Sequence, residues 1–383
     1  MADMLDYLAW RGDIEFPQMP VNPVDALIFS TLSYIQFEDI VPDNPMQRIS
    51  LEEAAAGLFS LSAPQTRVRV KKDLDLLEAA AKSARFDNIK MSFYRSVLIP
   101  EEETQFAAVT FFLEDGSAYI AFRGTDSTLT GWKEDFNMTF QSSIPAQRLA
   151  LEYVQEFAAA HPIPIWIGGH SKGGNLAAWA AIHLPEKLQE KWLTEAYNND
   201  GPGFSKAVLQ SEEYRRVEEK IHTFIPESSI VGMLLEHAED YTIIDSTTRS
   251  LMQHEPLSWN VLGKHFIYLG QRSDAAQLRD NVVSEWLEKM TIDERREFVT
   301  AIGDILSLGG KVKTLDDLRS GGLGSGLALM KEYIGADEKK KKVISEIMKR
   351  LATDMKAELQ KAANHRLKTA EKSVQKVLQD LKK

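Results

Sequence analysis

The chain has 383 residues, 44% of them hydrophobic, and a formal net charge of −11 at pH 7, so it can bury a substantial core and is longer than one domain of about 100–200 residues needs. The absence of cysteine excludes disulfides, a thiolate nucleophile, Cys-ligated zinc and iron–sulfur clusters. The acidic balance argues against nucleic acid as a partner, because the phosphate backbone is bound by clustered Lys and Arg.

The opening Met1-Ala2-Asp3-Met4-Leu5-Asp6 has neither a basic region nor an apolar core, and no run approaches the roughly 18 apolar residues of a membrane span. A cytoplasmic protein is predicted. Residues 1–60 mix apolar positions with turn signals at Pro17, Pro20 and Pro23, and Ser50-Leu51-Glu52-Glu53 forms a capping box before a short helix through Ala54, Ala55 and Ala56. This segment reads as packing material. Phe106 to Leu113 and Ala118 to Phe122, rich in β-branched and aromatic residues, are split by Glu114-Asp115-Gly116-Ser117 and read as a hairpin. The second strand runs into Arg123-Gly124-Thr125-Asp126. A helix is predicted between Gln147 and Ala160.

Next comes the apolar run Ile163-Pro164-Ile165-Trp166-Ile167, then Gly169-His170-Ser171-Lys172-Gly173, then the Ala-rich stretch from Asn175 to Ala181. A G-x-S-x-G pentapeptide between a strand and a helix is the nucleophile elbow of an α/β-hydrolase, its glycines leaving room for a strained turn that lifts the serine Oγ clear of the sheet. Ser171 is therefore the candidate nucleophile. Further strands are predicted at Thr194 to Asn198, Lys220 to Ile225 and Tyr241 to Asp245. The alternation of strand and helix predicts an α/β fold with a mixed, mostly parallel sheet covered on both faces.

In this fold the acid and the histidine follow the serine in the chain. His254 lies in a loop just after the last predicted strand, where catalytic loops collect, and is the candidate base. His237 and His265, near element ends, are the alternatives. His183, His222 and His365 read as packed or solvated, and His170 is too close in sequence to Ser171 and would orient the turn. Asp200, in Asn199-Asp200-Gly201 after the strand Thr194 to Asn198, is the candidate acid, with Glu227 second and Asp240 or Asp245 behind. An oxyanion formed at Ser171 needs preset N–H donors. The Lys172 amide supplies one, and Thr125, in the loop after an early strand, the other, with its hydroxyl in reserve. Gly124 permits the close backbone approach. The Lys172 side chain is expected to face solvent. No cofactor or metal is implied.

The stretch Val231 to Glu239 could wall an acyl site, but its apolar spacing predicts a core helix. Beyond Arg272 the pattern turns helical, with a Thr291-Ile292-Asp293-Glu294 capping box. Gly321 to Gly326 reads as a hinge. Residues 331–383 carry a net +7, leaving −18 on the rest, and Val343, Ile347, Leu351, Met355 and Leu359 recur every four residues. This basic amphipathic tail could lie on anionic lipid, pair with another helix or pack on the core. The domains expected are 1–272, the hydrolase, and 273–383, a C-terminal helical extension.

Phe122-Arg123-Gly124-Thr125, followed by Trp132 and Asp135, and then Gly169-His170-Ser171-Lys172-Gly173-Gly174, resemble the class 3 (fungal-type) lipases over Phe106 to His254. That resemblance implies an α/β-hydrolase fold, an ester or lipid substrate, and loop-bracing charges at Arg123 with Asp126 or Asp135. The chain departs from it at the acid, where Pro226-Glu227-Ser228-Ser229 lacks the expected Asp. The function predicted is a serine esterase or lipase. A thioester or amide hydrolase using the same residues, or an inactive hydrolase-fold binding protein, are the alternatives.

Overall fold

The computed structural model describes residues 1–270 apart from 127, 139–140 and 230, together with 272, 290–297, 300 and scattered positions between 335 and 353; of 129, 132, 250 and 251 only the backbone is described. The predicted Gly321 to Gly326 hinge, His365 and the greater part of the amphipathic tail lie outside the described residues. The Thr291 capping box is present, with the Glu294 amide donating to Thr291 Oγ1 and the Thr291 amide to Glu294 Oε2. No helix among the described residues is long and apolar enough to cross a membrane.

Eight strands form one sheet in chain order: β1 (Ile49–Ser50), β2 (Lys90–Ile99), β3 (Thr104–Phe112), β4 (Ala118–Phe122), β5 (Ile165–His170), β6 (Leu193–Asn199), β7 (Ile221–Pro226) and β8 (Thr242–Ile244). Pairings are antiparallel from β1 to β4 and parallel from β4 to β8. This is the mixed, mostly parallel sheet expected. It holds one long strand the sequence reading missed, β2, whose alternation is interrupted by a register shift between Ser92 and Arg95 and a left-handed Phe93.

Helices cover both faces. On one lie α1 (Met4–Arg11), α2 (Pro23–Leu32), α3 (Leu51–Phe59), α4 (Lys71–Ala81) and the short α5 (Ala84–Asp87). On the other lie α6 (Leu129–Asn137), α7 (Pro145–Ala160) and α8 (Lys172–His183). The two-residue period of a strand divides the core between them: on β3, Val109 and Phe111 join the first cluster while Phe106, Ala108 and Phe112 join the second. The N-terminal segment is more than generic packing. In α2, Asn22 and Asp25 cap each other's amides, Pro23 opens the helix, and Val24 to Leu32 is buried on every side. The Ser50 capping box is formed with Glu53.

The predicted core helix over Val231 to Glu239 is not formed. A single 3₁₀ turn, Val231–Met233, gives way to a loop with Leu235 at φ 64° and a bridge from Glu236 to Phe204. Apolar spacing suggested a helix, but the segment's amides are spent on side chains and on the neighbouring loop.

Candidate active site

β5 sits mid-sheet, and its carboxyl end turns directly into α8 at Ser171. There φ is 59° and ψ −133°, a conformation costly for a residue with a Cβ. The flanking glycines are required by contact. A Cβ on Gly169 would lie 2.2 Å from the Gly173 carbonyl carbon, and one on Gly173 2.1 Å from Phe122 O. The elbow is thus folded tightly on itself and against the end of β4. Ser171 is buried, and among the described residues its Oγ takes no hydrogen bond; such contacts are often long before substrate binds.

The Ser171 amide donates to Asn199 O at 2.9 Å, which sets the elbow beside Asp200, another left-handed residue at φ 56°. Asp200 is wholly buried. Its Oδ1 accepts from the Gly232 amide at 3.1 Å, and its Oδ2 accepts from Ser229 Oγ at 2.7 Å and lies 2.7 Å from His254 Nδ1. A carboxylate only accepts, so Nδ1 carries the proton and Nε2 is left as the free basic nitrogen. His254 ends a 3₁₀ turn, Ser250–His254, and is about a quarter exposed. Ser229 stands in the turn where the resemblance to class 3 lipases places the acid; here that turn contributes a hydroxyl to Asp200 instead.

The other nominated groups are elsewhere. The Glu227 amide donates to Ile244 O, and its carboxylate accepts from Ser228 Oγ at 3.3 Å. Asp245 Oδ2 accepts from Asn260, and Asp240 is exposed. His237 is held between Glu239 and Gly232 O, His222 pairs with Glu195, His265 lies in the small hairpin of Val261–Leu262 with His265–Phe266, and the His183 ring packs on Trp179.

His170 does more than orient the turn. Its Nε2 lies 2.7 Å from His254 O and its Nδ1 2.9 Å from Tyr34 OH. Because a carbonyl only accepts, Nε2 is protonated and Tyr34 donates to Nδ1. Burial first, then the nearby His254 and Arg69, push the His170 pKa well below the ordinary value, so the ring is neutral.

In the oxyanion region, among the described residues neither the Thr125 amide nor the Lys172 amide donates to any acceptor. Lys172 opens α8, where the first amides have no intrahelical partner. A Cβ at Gly124 would meet Tyr34 OH at 2.1 Å and His170 O at 2.5 Å, so the Arg123–Thr125 loop lies directly against the elbow. The Thr125 hydroxyl is not free, because it donates to Asp135 Oδ2.

Two charge expectations are corrected. Lys172 does not face solvent: its side chain is fully buried, 2.9 Å from Glu134 Oε2 and 2.6 Å from Gln105 Oε1. Its ammonium is enclosed by groups of β3 and α6, donating also to Gln105 O at 2.8 Å. Nor does Arg123 form an ion pair with Asp126 or Asp135. Arg123 is buried and reaches Ser96 Oγ, Asp126 accepts from the Thr128 amide, and Asp135 lies 3.9 Å from Lys172. Burial raises the Asp135 pKa to about 6, against the lowering effect of Lys172 and Thr125. Trp132 lies on α6, its side chain outside those described. Glu134, which also accepts from the Gln105 and Ala146 amides, went unrecognised; its position beside Asp135 was the available signal. Among the described residues no group of three or more His, Asp and Glu side chains could hold a metal ion.

A central strand ending in a left-handed serine, with a His–Asp pair at the same sheet rim, defines an α/β-hydrolase fold. The family model described as Mbeg1-like matches residues 80–304, and the chain belongs to the Mbeg1-like family. Solved structures it is similar to include a mutant form of MDLA from Penicillium cyclopium, at 14% identity and a TM-score of 0.39 over 65% of this chain and 85% of that one. Rhizomucor miehei lipase in its native propeptide complex is another, at 19% identity and 0.34 over 49% and 71%. No curated protein matches the sequence.

Proposed function

We propose that this chain is a serine hydrolase cleaving carboxylic esters, including lipid esters, through an acyl-enzyme on Ser171. The observation that carries the reading is the 2.7 Å contact of His254 Nδ1 with the buried Asp200 carboxylate, which reserves Nε2 for the serine proton. Ser171 Oγ attacks the ester carbonyl while His254 Nε2 takes its proton, and Asp200 stabilises the imidazolium that results. The carbonyl oxygen becomes an oxyanion held by the Thr125 and Lys172 amides. The intermediate then expels the alcohol, which leaves with the proton from His254. Water, deprotonated by the same nitrogen, attacks the acyl-enzyme, and collapse releases the acid and restores Ser171.

The test is intact-mass labelling by a fluorophosphonate, with hydrolysis of p-nitrophenyl esters of several chain lengths. Folded wild type is expected to take up one label and hydrolyse the esters, while Ser171→Ala and His254→Ala do neither. A folded wild type that takes no label overturns the reading.

A further inference from the structure

We propose that the N-terminal helical segment, which precedes the family match at residue 80, supplies two positioning residues for the base, Arg69 and Tyr34, which fix the His254 peptide from both sides. The inference rests on the reading of His254 as the base. It begins from the problem His254 poses: the residue ends a short 3₁₀ turn in a loop, and catalysis requires its ring to keep one position to within a fraction of an ångström.

The bonds within the loop, and one from the turn after β7, brace the neighbours of His254. The Trp259 indole donates to Gln253 O, the Ser258 hydroxyl to Glu255 O, and the Ser228 amide to Gln253 Oε1. Besides Asp200, which meets the His254 ring, residues 254 and 255 are held from outside the loop by His170, which Tyr34 orients, and by Arg69. On one side Tyr34 OH donates to His170 Nδ1, which makes Nε2–H the required donor to His254 O. His170 is thus a relay between α2's end and the base's own peptide. On the other side Arg69 grips the Glu255 carboxylate with both terminal nitrogens, one of them at 2.8 Å. A forked guanidinium–carboxylate pair fixes orientation as well as distance.

Arg69 is itself held. It lies 3.2 Å from Asp73 Oδ1, whose side chain is fully buried and also accepts from the Val70 amide, and its guanidinium stands 5.1 Å from the Tyr34 ring. The two anchors therefore share one support. Burial alone would raise the Glu255 carboxyl pKa, but the Arg69 bonds and charge outweigh it and leave it lowered, so the pair stays ionised. Among the described residues neither Arg69 nor Tyr34 hydrogen-bonds to Ser171; their bonds go to Glu255 and to His170.

The experiment measures the second-order rate of fluorophosphonate labelling per folded molecule, and kcat and KM on a p-nitrophenyl ester, for wild type, Tyr34→Phe, Arg69→Met and Arg69→Lys. Labelling and kcat are expected to fall about tenfold or more in Tyr34→Phe and Arg69→Met with KM nearly unchanged, as expected for a misplaced base. Arg69→Lys should recover part of the loss. A purely structural role would lower the melting temperature and the folded fraction while the folded molecules reacted at the wild-type rate; that result overturns the proposal. Should Arg69→Met fail to fold, Glu255→Gln, which keeps shape and weakens the grip, decides by the same criterion. Absence of labelling in wild type would instead sink the serine-hydrolase reading itself.

Discussion

Asp200→Asn tests the acid with almost no change of shape. The Gly232 amide donates to Oδ1 at 3.1 Å, so an asparagine keeps its carbonyl oxygen there and turns its NH₂ towards the Oδ2 position. That NH₂ then faces Ser229 Oγ, which can accept, and His254 Nδ1, which can accept only by giving up its proton. The imidazole is driven to the Nε2–H tautomer, which cannot take a proton from Ser171. Loss of the correct tautomer in this way costs about 10⁴ in kcat where it has been measured in a serine protease, or about 5 kcal/mol at 1.36 kcal/mol per tenfold. A loss of about 10³–10⁴ in p-nitrophenyl ester kcat is therefore expected, with KM little changed and the fold intact by thermal denaturation. Retention of more than a tenth of wild-type kcat in a folded Asp200→Asn protein would refute the assignment and move the search to Glu227.

Three further outcomes follow from the same geometry. Ser171→Gly should abolish labelling yet stabilise the chain by about 1 kcal/mol, since strain of about 1–3 kcal/mol at φ 59° is relieved against part of that in added unfolded-state entropy; a lower urea midpoint would contradict it. Lys172→Met should destabilise by about 3–5 kcal/mol because Glu134 is left buried without its cation, and adding Glu134→Gln should restore much of this in a double-mutant cycle. Glu239 is buried, which raises its pKa, but His237, Thr223 and Tyr214 pull it down to about 2. A depressed carboxyl stabilises the fold above its unfolded value and loses that contribution as pH falls from about 4.5 towards 2, so the stability gap between wild type and Glu239→Gln should narrow over that range in urea titrations.

What the sequence disclosed was local. The elbow is contiguous, and its glycines and flanking pattern announce both the turn and the sheet it crowns. Chain order along the rim of such a sheet made Asp200 and His254 the leading candidates, and the structure brings their side chains together. What escaped depends on contacts between segments far apart in the chain. Nothing in the spacing around Lys172 signals that its side chain is buried, because the burial depends on Glu134 and Gln105, 38 and 67 residues away. Phe93 breaks the alternation by which β2 could have been read. Tyr34 stands in Leu32-Ser33-Tyr34-Ile35-Gln36, which matches no motif, so its bond to His170, 136 residues on, is invisible without the fold.

The site's precision has a common physical origin. Ser171 and Asp200 both occupy left-handed backbone, each a conformation that persists only where the surroundings over-determine it. Around Ser171 the determinants are steric, the glycine contacts with Phe122 and Gly173. Around Asp200 they are polar: the Asp200 amide donates to Phe224 O, the Gly201 amide to Asn198 Oδ1, and Asn199 Nδ2 to Gly169 O. That last bond joins the end of β6, just before Asp200, to β5, just before Ser171, so a shift of either drags the other. His254, the proposed base, stands in a loop and meets the sheet through its carbonyl, which accepts from His170 at the end of β5. Its carboxylate partner fixes only the ring, and the peptide behind it depends on contacts with His170 and, through Glu255, with Arg69. A segment that contributes no group to the reaction can therefore set its rate, which is why the anchors of the base, more than the nucleophile, are where variation in this chain should tune turnover without altering its chemistry.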